Sequence, residues 1–107
     1  DLFSNLSSVS VPYVTKEMVP NYQSYCLTIN KEGFRDKILE SLRKKGIEVQ
    51  IGTYAIHREP FVKKSCRIIG SLKNSEFLAD NLLTLPLHKD LDLEDQELIY
   101  EEIKKAR

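Results

Sequence analysis

An amphipathic segment near the middle of the chain, NKEGFRDKILESLRKKG, most constrains what this sequence can fold into. Its apolar residues recur at i, i+4, i+5 and i+8, which is the spacing of one stripe along a helix. This stripe consists of Phe34, Ile38, Leu39 and Leu42. Asn30 is the predicted N-cap, residues 43–45 place cations in the last turn, and Gly46 suits the C′ position. The sequence therefore predicts a helix that must bury its stripe against another layer.

Two stretches in which apolar and polar residues alternate flank this helix. They cover residues 24–30 and residues 47–52. Their apolar members are Tyr25, Leu27 and Ile29 in the first stretch and Ile47, Val49 and Ile51 in the second. A period of two is typical of a strand with one buried face. A strand, a helix and a strand joined by tight turns can place both strands in one sheet beneath the helix.

The second half of the chain predicts helices separated by one brief strand. Residues 61–64 form a short helix, and residues 75–83 form a longer one with Asn74 or Ser75 as its N-cap. The following segment is too short for a helix and contains a proline, so residues 84–87 are predicted as a third strand.

The chain ends in a helix with Asp92 as the predicted N-cap and basic residues, including Arg107, in the last turn. Near the other end of the chain, Pro12 and Pro20 bracket a stretch predicted as irregular or as an edge strand. Together these elements predict an α+β fold, with a small, mostly antiparallel sheet of three strands and helices packed on one face.

Composition describes an ordinary globular domain. A chain of 107 residues can bury its own core, and its 16 basic and 16 acidic residues balance. Neither nucleic acid nor a membrane is therefore an expected partner, and no apolar run reaches the roughly 18 residues of a membrane span. Cys26 and Cys66 lack CxxC spacing, and two unpaired thiols favour a cytoplasmic location.

Motifs for phosphate or metal binding are not found in the sequence. It contains neither GxGxxG nor GxxxxGK[ST], the glycine-rich loops that cradle phosphates. His57 and His88 have no partners at metal-ligand spacing. A Cys/His nucleophile pair stays open, although Cys26 lies on a predicted strand, where a thiol is usually buried and inert.

The segment IGTYAIHREPF, residues 51–61, is the candidate binding loop. Tyr54, His57 and Arg58 follow the end of a predicted strand, where rigid scaffolds often present polar groups to ligands. Tyrosine offers a ring and a hydroxyl, histidine a titratable donor and acceptor, and arginine a fork for carboxylate or phosphate. A structural interpretation stays open beside it: Tyr54 packs, His57 caps the next short helix, and Arg58 is solvated.

Three stretches of the chain, in order and in spacing, resemble the C-terminal region of the DegT/DnrJ/StrS family of sugar-nucleotide aminotransferases. They are residues 23–29, 35–61 and 79–99. Within them lie a helix ending in GI, an element related to Y-x-x-x-H that here spans Tyr54 to His57, and a late LTLPLH. The resemblance runs from about residue 20 to the end of the chain.

The resemblance implies the small domain of a PLP-dependent enzyme with the aspartate-aminotransferase fold. Residues 1–20 would then be a connecting segment and residues 21–107 the domain, cut from a longer chain, which the start at Asp1 and the only methionine at Met18 also suggest. The lysine that binds PLP would lie upstream in a large domain, so this chain alone should bind no cofactor and be inactive. Lys16 does not stand in the family's lysine pattern.

The resemblance also implies partners and site residues. The partners are the large PLP-binding domain, a nucleotide-sugar substrate, an amino donor and a second subunit of a homodimer. Tyr54 and His57 are expected to contact the sugar nucleotide or the amino-donor carboxylate, and Arg58 is expected to contact an anion. The family more often has histidine where Thr53 stands here, so Thr53 would offer only a hydroxyl.

A second hypothesis is a self-contained α+β module that binds a small molecule or regulates another protein without catalysis. The two hypotheses differ in their surfaces. A domain taken from a larger enzyme should expose an apolar face where the large domain packs, whereas a complete module should not.

Overall fold

A four-stranded antiparallel sheet accompanied by four α-helices forms the protein, which confirms the α+β fold class. The structure, a computed structural model, describes residues 2–106. The strands are β1 (Val9–Ser10), β2 (Tyr25–Ile29), β3 (Gln50–Ile51) and β4 (Leu82–Leu85), in the spatial order β1-β2-β4-β3. The helices are α1 (Phe34–Lys44), α2 (Pro60–Ser65), α3 (Lys73–Asn81) and α4 (Leu93–Lys105), and 3-10 helices cover Leu2–Asn5 and Ile56–Arg58.

The predicted count of three strands was wrong, because β1 adds a fourth. β1 pairs antiparallel with β2, and Val9 lies opposite Ile29. Two residues are too few to display an alternating pattern, so no strand was predicted at this point. Residues before β1 also reach the core, where the side chains of Phe3 and Leu6 are buried.

The two later strands differ from their predicted bounds. β3 has two residues, although the predicted strand covers six. β4 begins two residues earlier than predicted and ends at Leu85, because the next residue, Pro86, has no N–H to donate to a strand ladder. α3 ends at Asn81, so Leu82 and Leu83, which the sequence assigned to that helix, belong to the strand instead.

β4 lies at the centre of the sheet, between β2 and β3. In its register, Leu83 lies opposite Leu27 of β2 on one side and opposite Ile51 of β3 on the other. The strands on either side of α1 therefore do lie in one sheet, as predicted, but they are not neighbours. The strand between them comes from a region more than thirty residues farther along the chain.

Gly33, and not Asn30, is the N-cap of α1. Gly33 takes a left-handed conformation with φ of 72°, which glycine adopts without steric cost. The Asn30 side chain instead joins two loops: its oxygen accepts a hydrogen bond from Ser10 Oγ at 2.9 Å, and its nitrogen donates to the Ser7 carbonyl at 3.2 Å. At the other end of α1, Gly46 follows the helix with φ of 77°, as predicted.

α3 begins earlier than its sequence indicated. Its first residue is Lys73 and its N-cap is Leu72, so the predicted caps, Asn74 and Ser75, were wrong. Both polar residues lie inside the first turn of the helix. No side-chain hydrogen bond caps this end of α3, which explains why cap chemistry was a poor guide to its start.

The predicted N-cap of α4 is confirmed. The Asp92 side chain accepts a hydrogen bond from the Asp95 N–H at 2.9 Å, and acidic residues follow in the first turn. Arg107, predicted for the last turn, lies outside the described residues. Within residues 2–106, no helix combines the length and the apolarity that a membrane crossing requires.

The main core lies between one face of the sheet and helices α1 and α4. Buried residues alternate along β2 and β4, so they point to the same face. The α1 stripe and the inner side of α4 fill the space against that face. The core residues from these elements are Leu27, Ile29, Leu83 and Leu85 of the strands and Ile38, Leu39, Leu42, Ile99 and Ile103 of the helices. The apolar stripe of α1 is thus buried against the sheet, as its spacing predicted.

A close backbone approach fixes the direction in which the chain leaves β3. The Gly52 N–H donates to the Leu82 carbonyl at 3.0 Å. A Cβ atom at position 52 would lie 2.5 Å from the Leu82 Cγ and 2.8 Å from its Cβ. Any side chain at position 52 would therefore push β3 away from the first residue of β4.

We expect Gly52→Ala to destabilise the protein by about 1–3 kcal/mol, because the added methyl group overlaps the Leu82 side chain. Urea unfolding of four proteins measures this effect: the parent, Gly52→Ala, Leu82→Ala and the double variant. The double variant should lose less stability than the sum of the two single variants, because Leu82→Ala removes atoms that clash. Strictly additive losses would contradict the proposed contact.

Candidate functional site

Between β3 and α2, residues 52–59 of the candidate loop include one turn of 3-10 helix. Ala55 is buried and anchors the turn, and its carbonyl accepts a hydrogen bond from the Arg58 N–H at 2.8 Å. The neighbours of Ala55 point outward: Tyr54 is 69% exposed and Ile56 is 64% exposed. The loop thus presents a tyrosine ring and hydroxyl on the surface from a fixed backbone.

His57 does not point into solvent, because it pairs with helix α3. Its Nε2 atom lies 2.9 Å from the Glu76 Oε1 atom, and only 15% of its side chain is exposed. The imidazole therefore lies between the loop and the helix. Contrary to the structural interpretation left open above, it does not cap α2, whose N-cap is Glu59 with no side-chain hydrogen bond.

Arg58 forms a second link to α3. Its Nη1 and Nη2 atoms donate to the two carboxylate oxygens of Asp80 at 2.6 and 3.0 Å, a bidentate pair. Its Nε atom lies 3.8 Å from the Glu76 carboxylate. About half of each side chain in the Arg58–Asp80 pair is exposed, so the pair adds little to the stability of the fold. Its main effect is to fix the direction of the loop.

The structure brings two of the three predicted site residues together and leaves the third apart. His57 and Arg58 meet on the acidic side of α3, whereas Tyr54 stands on the exposed side of the loop. Because 69% of Tyr54 is exposed, its side chain lies on an open surface. A ligand held there by Tyr54 would need further contacts from outside this loop.

The sequence analysis missed the carboxylates that hold this loop. Glu76 and Asp80 are four residues apart, so they lie on the same side of α3. A pair of acids at helical spacing, together with adjacent histidine and arginine in a preceding loop, was the available signal. It is a weak signal, because acids at this spacing usually face only solvent.

Residues of the loop lower the pKa of both carboxylates. The hydrogen bond from His57 lowers the pKa of Glu76, and the nearby charge of Arg58 lowers it further. For Asp80, the hydrogen bonds from Arg58 lower the pKa most, followed by the charges of Arg58 and Arg35. Asp80 in turn raises the pKa of Arg58, chiefly through the same hydrogen bonds. Both carboxylates are therefore ionised at neutral pH.

The lysines of this chain do not fit a PLP site. Every lysine in residues 2–106 is exposed, whereas a lysine that holds PLP needs an enclosed pocket in which water is excluded. The buried Arg35 is not available for a phosphate either: its Nη1 atom donates to the carbonyls of Ala79 and Leu82, and its Nε atom donates to Asp36. No step of PLP chemistry is therefore assigned to residues of this chain.

Several large apolar side chains around the loop are exposed. In addition to Tyr54 and Ile56, these side chains are Phe61 of α2, Ile69 of the segment after it and Phe77 of α3. These side chains all fall between residues 54 and 77 of the sequence. Exposed apolar side chains mark an interaction surface when they form one contiguous patch.

We expect acid to release the loop from α3. Because the pKa values of Glu76 and Asp80 are lowered in the folded state, the stability that they contribute is complete above the ordinary carboxylate value of about 4. That stability is lost as the pH falls through their lowered values. NMR shifts of the Arg58 side-chain N–H groups, followed from about pH 6 to about pH 2, measure the release. A midpoint of the Arg58 shifts at the ordinary carboxylate pKa would contradict this pairing of the loop with α3. Arg58 shifts in Asp80→Asn that follow pH as in the parent protein would also contradict it.

Comparison with known proteins gives one family. The model of the DegT/DnrJ/EryC1/StrS aminotransferase family matches residues 1–104. No curated protein sequence gives a significant match.

Solved structures with this fold come from longer chains. An aminotransferase of Helicobacter pylori involved in the biosynthesis of pseudoaminic acid, PseC, is 22% identical with a TM-score of 0.82 and aligns over 98% of this chain and 29% of its own. A DegT DnrJ EryC1 StrS aminotransferase of Brucella abortus is 25% identical, with a TM-score of 0.78 over 97% and 27%. The E. coli GDP-4-keto-6-deoxy-D-mannose-3-dehydratase with bound hydrated PLP is 20% identical, with a TM-score of 0.79 over 94% and 27%.

These similarities fix the fold and the family. The chain spans little more than a quarter of each of these structures, so it corresponds to one part of a larger protein architecture. The structural likeness covers nearly all of this chain, which confirms the sequence resemblance and the aminotransferase type of fold. With a family model that matches 104 of its 107 residues, the chain belongs to the DegT/DnrJ/EryC1/StrS aminotransferase family.

Proposed function

We propose that this chain is the C-terminal, substrate-side domain of a PLP-dependent aminotransferase that acts on a keto sugar nucleotide. Such reactions supply amino sugars for polysaccharides and cell surfaces. The observation that carries the proposal is the family match over residues 1–104, on a fold that recurs as a quarter of longer enzymes. Within this proposal, residues 1–20 connect the domain to the rest of the protein and residues 21–107 form it.

Cofactor binding belongs, in this proposal, to a large domain of the same protein. PLP supplies the electrophilic carbonyl and the electron sink that amino-group transfer requires. The exposed lysines and the engaged Arg35 of this chain support a catalytic lysine that comes from that large domain. The isolated chain is then expected to be inactive.

The role of this chain is to form one wall of the substrate cleft. Pockets form preferentially where two domains meet, and Tyr54 projects from a loop that has no opposite wall in this structure. Tyr54 can contact a substrate with its ring and its hydroxyl without any rearrangement of the loop. Contacts from His57 or Arg58 to a substrate carboxylate or phosphate would require an exchange, in which the ligand anion replaces Glu76 or Asp80.

The exposed apolar side chains support a covered surface on the same side. Ile56 and Phe61 flank the loop, and Phe77 lies on the helix that holds it. Contact with the large domain, or with the second subunit of a homodimer, would remove these side chains from water. This is the feature that distinguishes a domain of a larger enzyme from a self-contained binding module.

The choice between transamination and another PLP-dependent reaction rests on the family match and not on the fold. A dehydratase with bound PLP has the same fold at 20% identity, so the fold serves both reactions. A cytoplasmic location suits the reaction, because nucleotide sugars are made there. The unpaired thiols of Cys26 and Cys66 agree with a reducing compartment.

The protein purified from its native source tests the proposal directly. The expected product is several-fold heavier than 12.4 kDa, absorbs visible light through a lysine-linked PLP, and becomes permanently labelled after borohydride reduction. Incubation with an amino donor and a keto sugar nucleotide should then yield the amino sugar. A colourless native product of about 12 kDa would overturn the proposal in favour of the self-contained module.

In the full-length enzyme, Tyr54→Phe should lower kcat/KM for the sugar nucleotide by about tenfold, which corresponds to the loss of one hydrogen bond to the substrate. Tyr13→Phe is the matched control, because Tyr13 is also an exposed tyrosine and lies away from the loop in sequence. His57→Ala should also lower kcat/KM, because it releases the loop from Glu76. An unchanged kcat/KM in both Tyr54→Phe and His57→Ala would contradict a role of this loop in substrate binding.

A further inference from the structure

A small crevice beside the start of α1 shares no residue with the candidate loop. It has a volume of about 210 Å³ and lies between the residue before β1, the end of β2, the first turns of α1 and the last turn of α4. A cavity of about 150 Å³ can hold benzene, whereas sites for drug-sized ligands begin at about 300 Å³. The crevice is therefore large enough for a single ring and too small for a nucleotide or a cofactor. The residues that line it are Ser8, Ile29, Lys31, Phe34, Ile38 and Ile103.

The walls of this crevice belong to the main core. Ile29, Ile38 and Ile103 are at most 2% exposed, and each packs in the core cluster. Phe34 is partly buried and packs against the same cluster. A group that enters the crevice therefore exchanges water for apolar surface. This exchange favours an apolar ligand and disfavours a charged one.

One polar atom in this apolar lining has no partner. The Ser8 Oγ atom is buried, and it forms no hydrogen bond to any group of residues 2–106. Within those residues it is the only buried side-chain oxygen or nitrogen atom in this condition. A buried hydroxyl without a partner destabilises a fold, so each such group in a native structure calls for an explanation.

The backbone on both sides of this hydroxyl is fixed. The Ser8 carbonyl accepts a hydrogen bond from the Asn30 N–H at 2.9 Å, and the preceding carbonyl, of Ser7, accepts one from the Asn30 Nδ2 atom at 3.2 Å. The following residue, Val9, is buried and pairs with Ile29. Ser8 is therefore presented to the crevice from a rigid backbone, as in a preorganised binding site.

A single water molecule is a poor partner for the Ser8 hydroxyl. A buried water typically makes about three hydrogen bonds, and apart from Ser8 and Lys31 the lining side chains are apolar. Lys31 is exposed, and its ammonium group lies 3.7 Å from the centre of the Phe34 ring, over the ring face. A ligand with an apolar body and one oxygen atom suits this lining better than water does, because it needs only one polar partner.

From these contacts we infer that the crevice binds a small neutral molecule of about the size of phenol, apolar except for one hydroxyl group. The body of the ligand lies against Ile29, Ile38 and Ile103, and its hydroxyl shares a hydrogen bond with Ser8 Oγ. Either hydroxyl can donate or accept in this bond. The inference does not rest on the proposed function, because it uses none of the candidate-loop residues and no cofactor.

Methyl NMR of the native protein with phenol as the probe tests the inference. Saturable shifts of the δ1-methyl signals are expected at Ile29, Ile38 and Ile103, with a Kd of about 1 mM for so small a ligand. Ile68 does not line the crevice and is the internal control. Failure of phenol to saturate the three signals by about 10 mM would overturn the inference. An equal shift at Ile68 would also overturn it, because binding would then be non-specific.

Benzoate distinguishes a neutral ligand from an anion that Lys31 attracts. Its ring has the same size as that of phenol, but its carboxylate loses hydration when it enters an apolar crevice. We therefore expect benzoate to bind about tenfold more weakly than phenol, or not at all. Benzoate that binds as tightly as phenol would overturn the assignment to a neutral ligand.

The Ser8→Ala variant tests the role of the hydroxyl. It removes an unpartnered polar atom, so the melting temperature should be unchanged or raised, while phenol should bind about fivefold more weakly through loss of one hydrogen bond. Benzene has no hydroxyl and should bind the variant and the parent protein equally, which shows that the crevice keeps its shape. Ser7→Ala, at the adjacent exposed serine, should leave both affinities unchanged. Equal phenol affinity in Ser8→Ala and the parent protein would overturn the inference.

Discussion

One buried cation holds together the parts of this fold that are far apart in sequence. The Arg35 side chain is 9% exposed, and its Nη1 atom donates to the carbonyls of Ala79 and Leu82 at 2.9 and 3.0 Å. These carbonyls flank the junction at which α3 becomes β4. Hydrogen bonds from a charged donor stabilise by about 1.5–3 kcal/mol each, and an unpaired buried guanidinium would be costly. Arg35 therefore fixes both the helix that holds the candidate loop and the central strand of the sheet.

The sequence predicted the apolar pattern of the helices well, the helix caps unevenly and non-local strand pairing poorly. The α1 stripe, the glycine after α1 and the Asp92 cap are properties of neighbouring residues, and the structure confirms them. The number of strands, the bounds of β4 and its place between β2 and β3 depend on partners tens of residues away. A stretch such as Leu82–Leu83 fits a helix or a strand by pattern alone, and the pairing with Leu27 decides between them.

In the candidate loop, too, the sequence indicated local features but not the distant residues that pair with them. Its position after a strand and its residue types predicted a binding loop from the sequence alone. The family resemblance agrees with the family match over nearly the whole chain. The sequence could not show that His57 and Arg58 would be taken up by Glu76 and Asp80, which lie 19 and 22 residues farther on. Among the three predicted residues, only Tyr54 is exposed without a carboxylate partner, so the proposed substrate contact falls mainly on Tyr54. The ion pairs then determine where Tyr54 points.

The two ends of β4 contact different parts of the molecule. Leu82, at the start of β4, packs against Gly52 and accepts a hydrogen bond from Arg35, so this end determines the path of the loop. Leu85, at the other end, is buried in the core and lies opposite Tyr25 of β2. At about 3.4 Å per residue, the two ends are roughly 10 Å apart, a distance at which substitutions without shared partners have nearly additive effects. Leu83, in the middle of β4, is fully buried and pairs with both neighbouring strands, so a substitution there would disturb both ends at once.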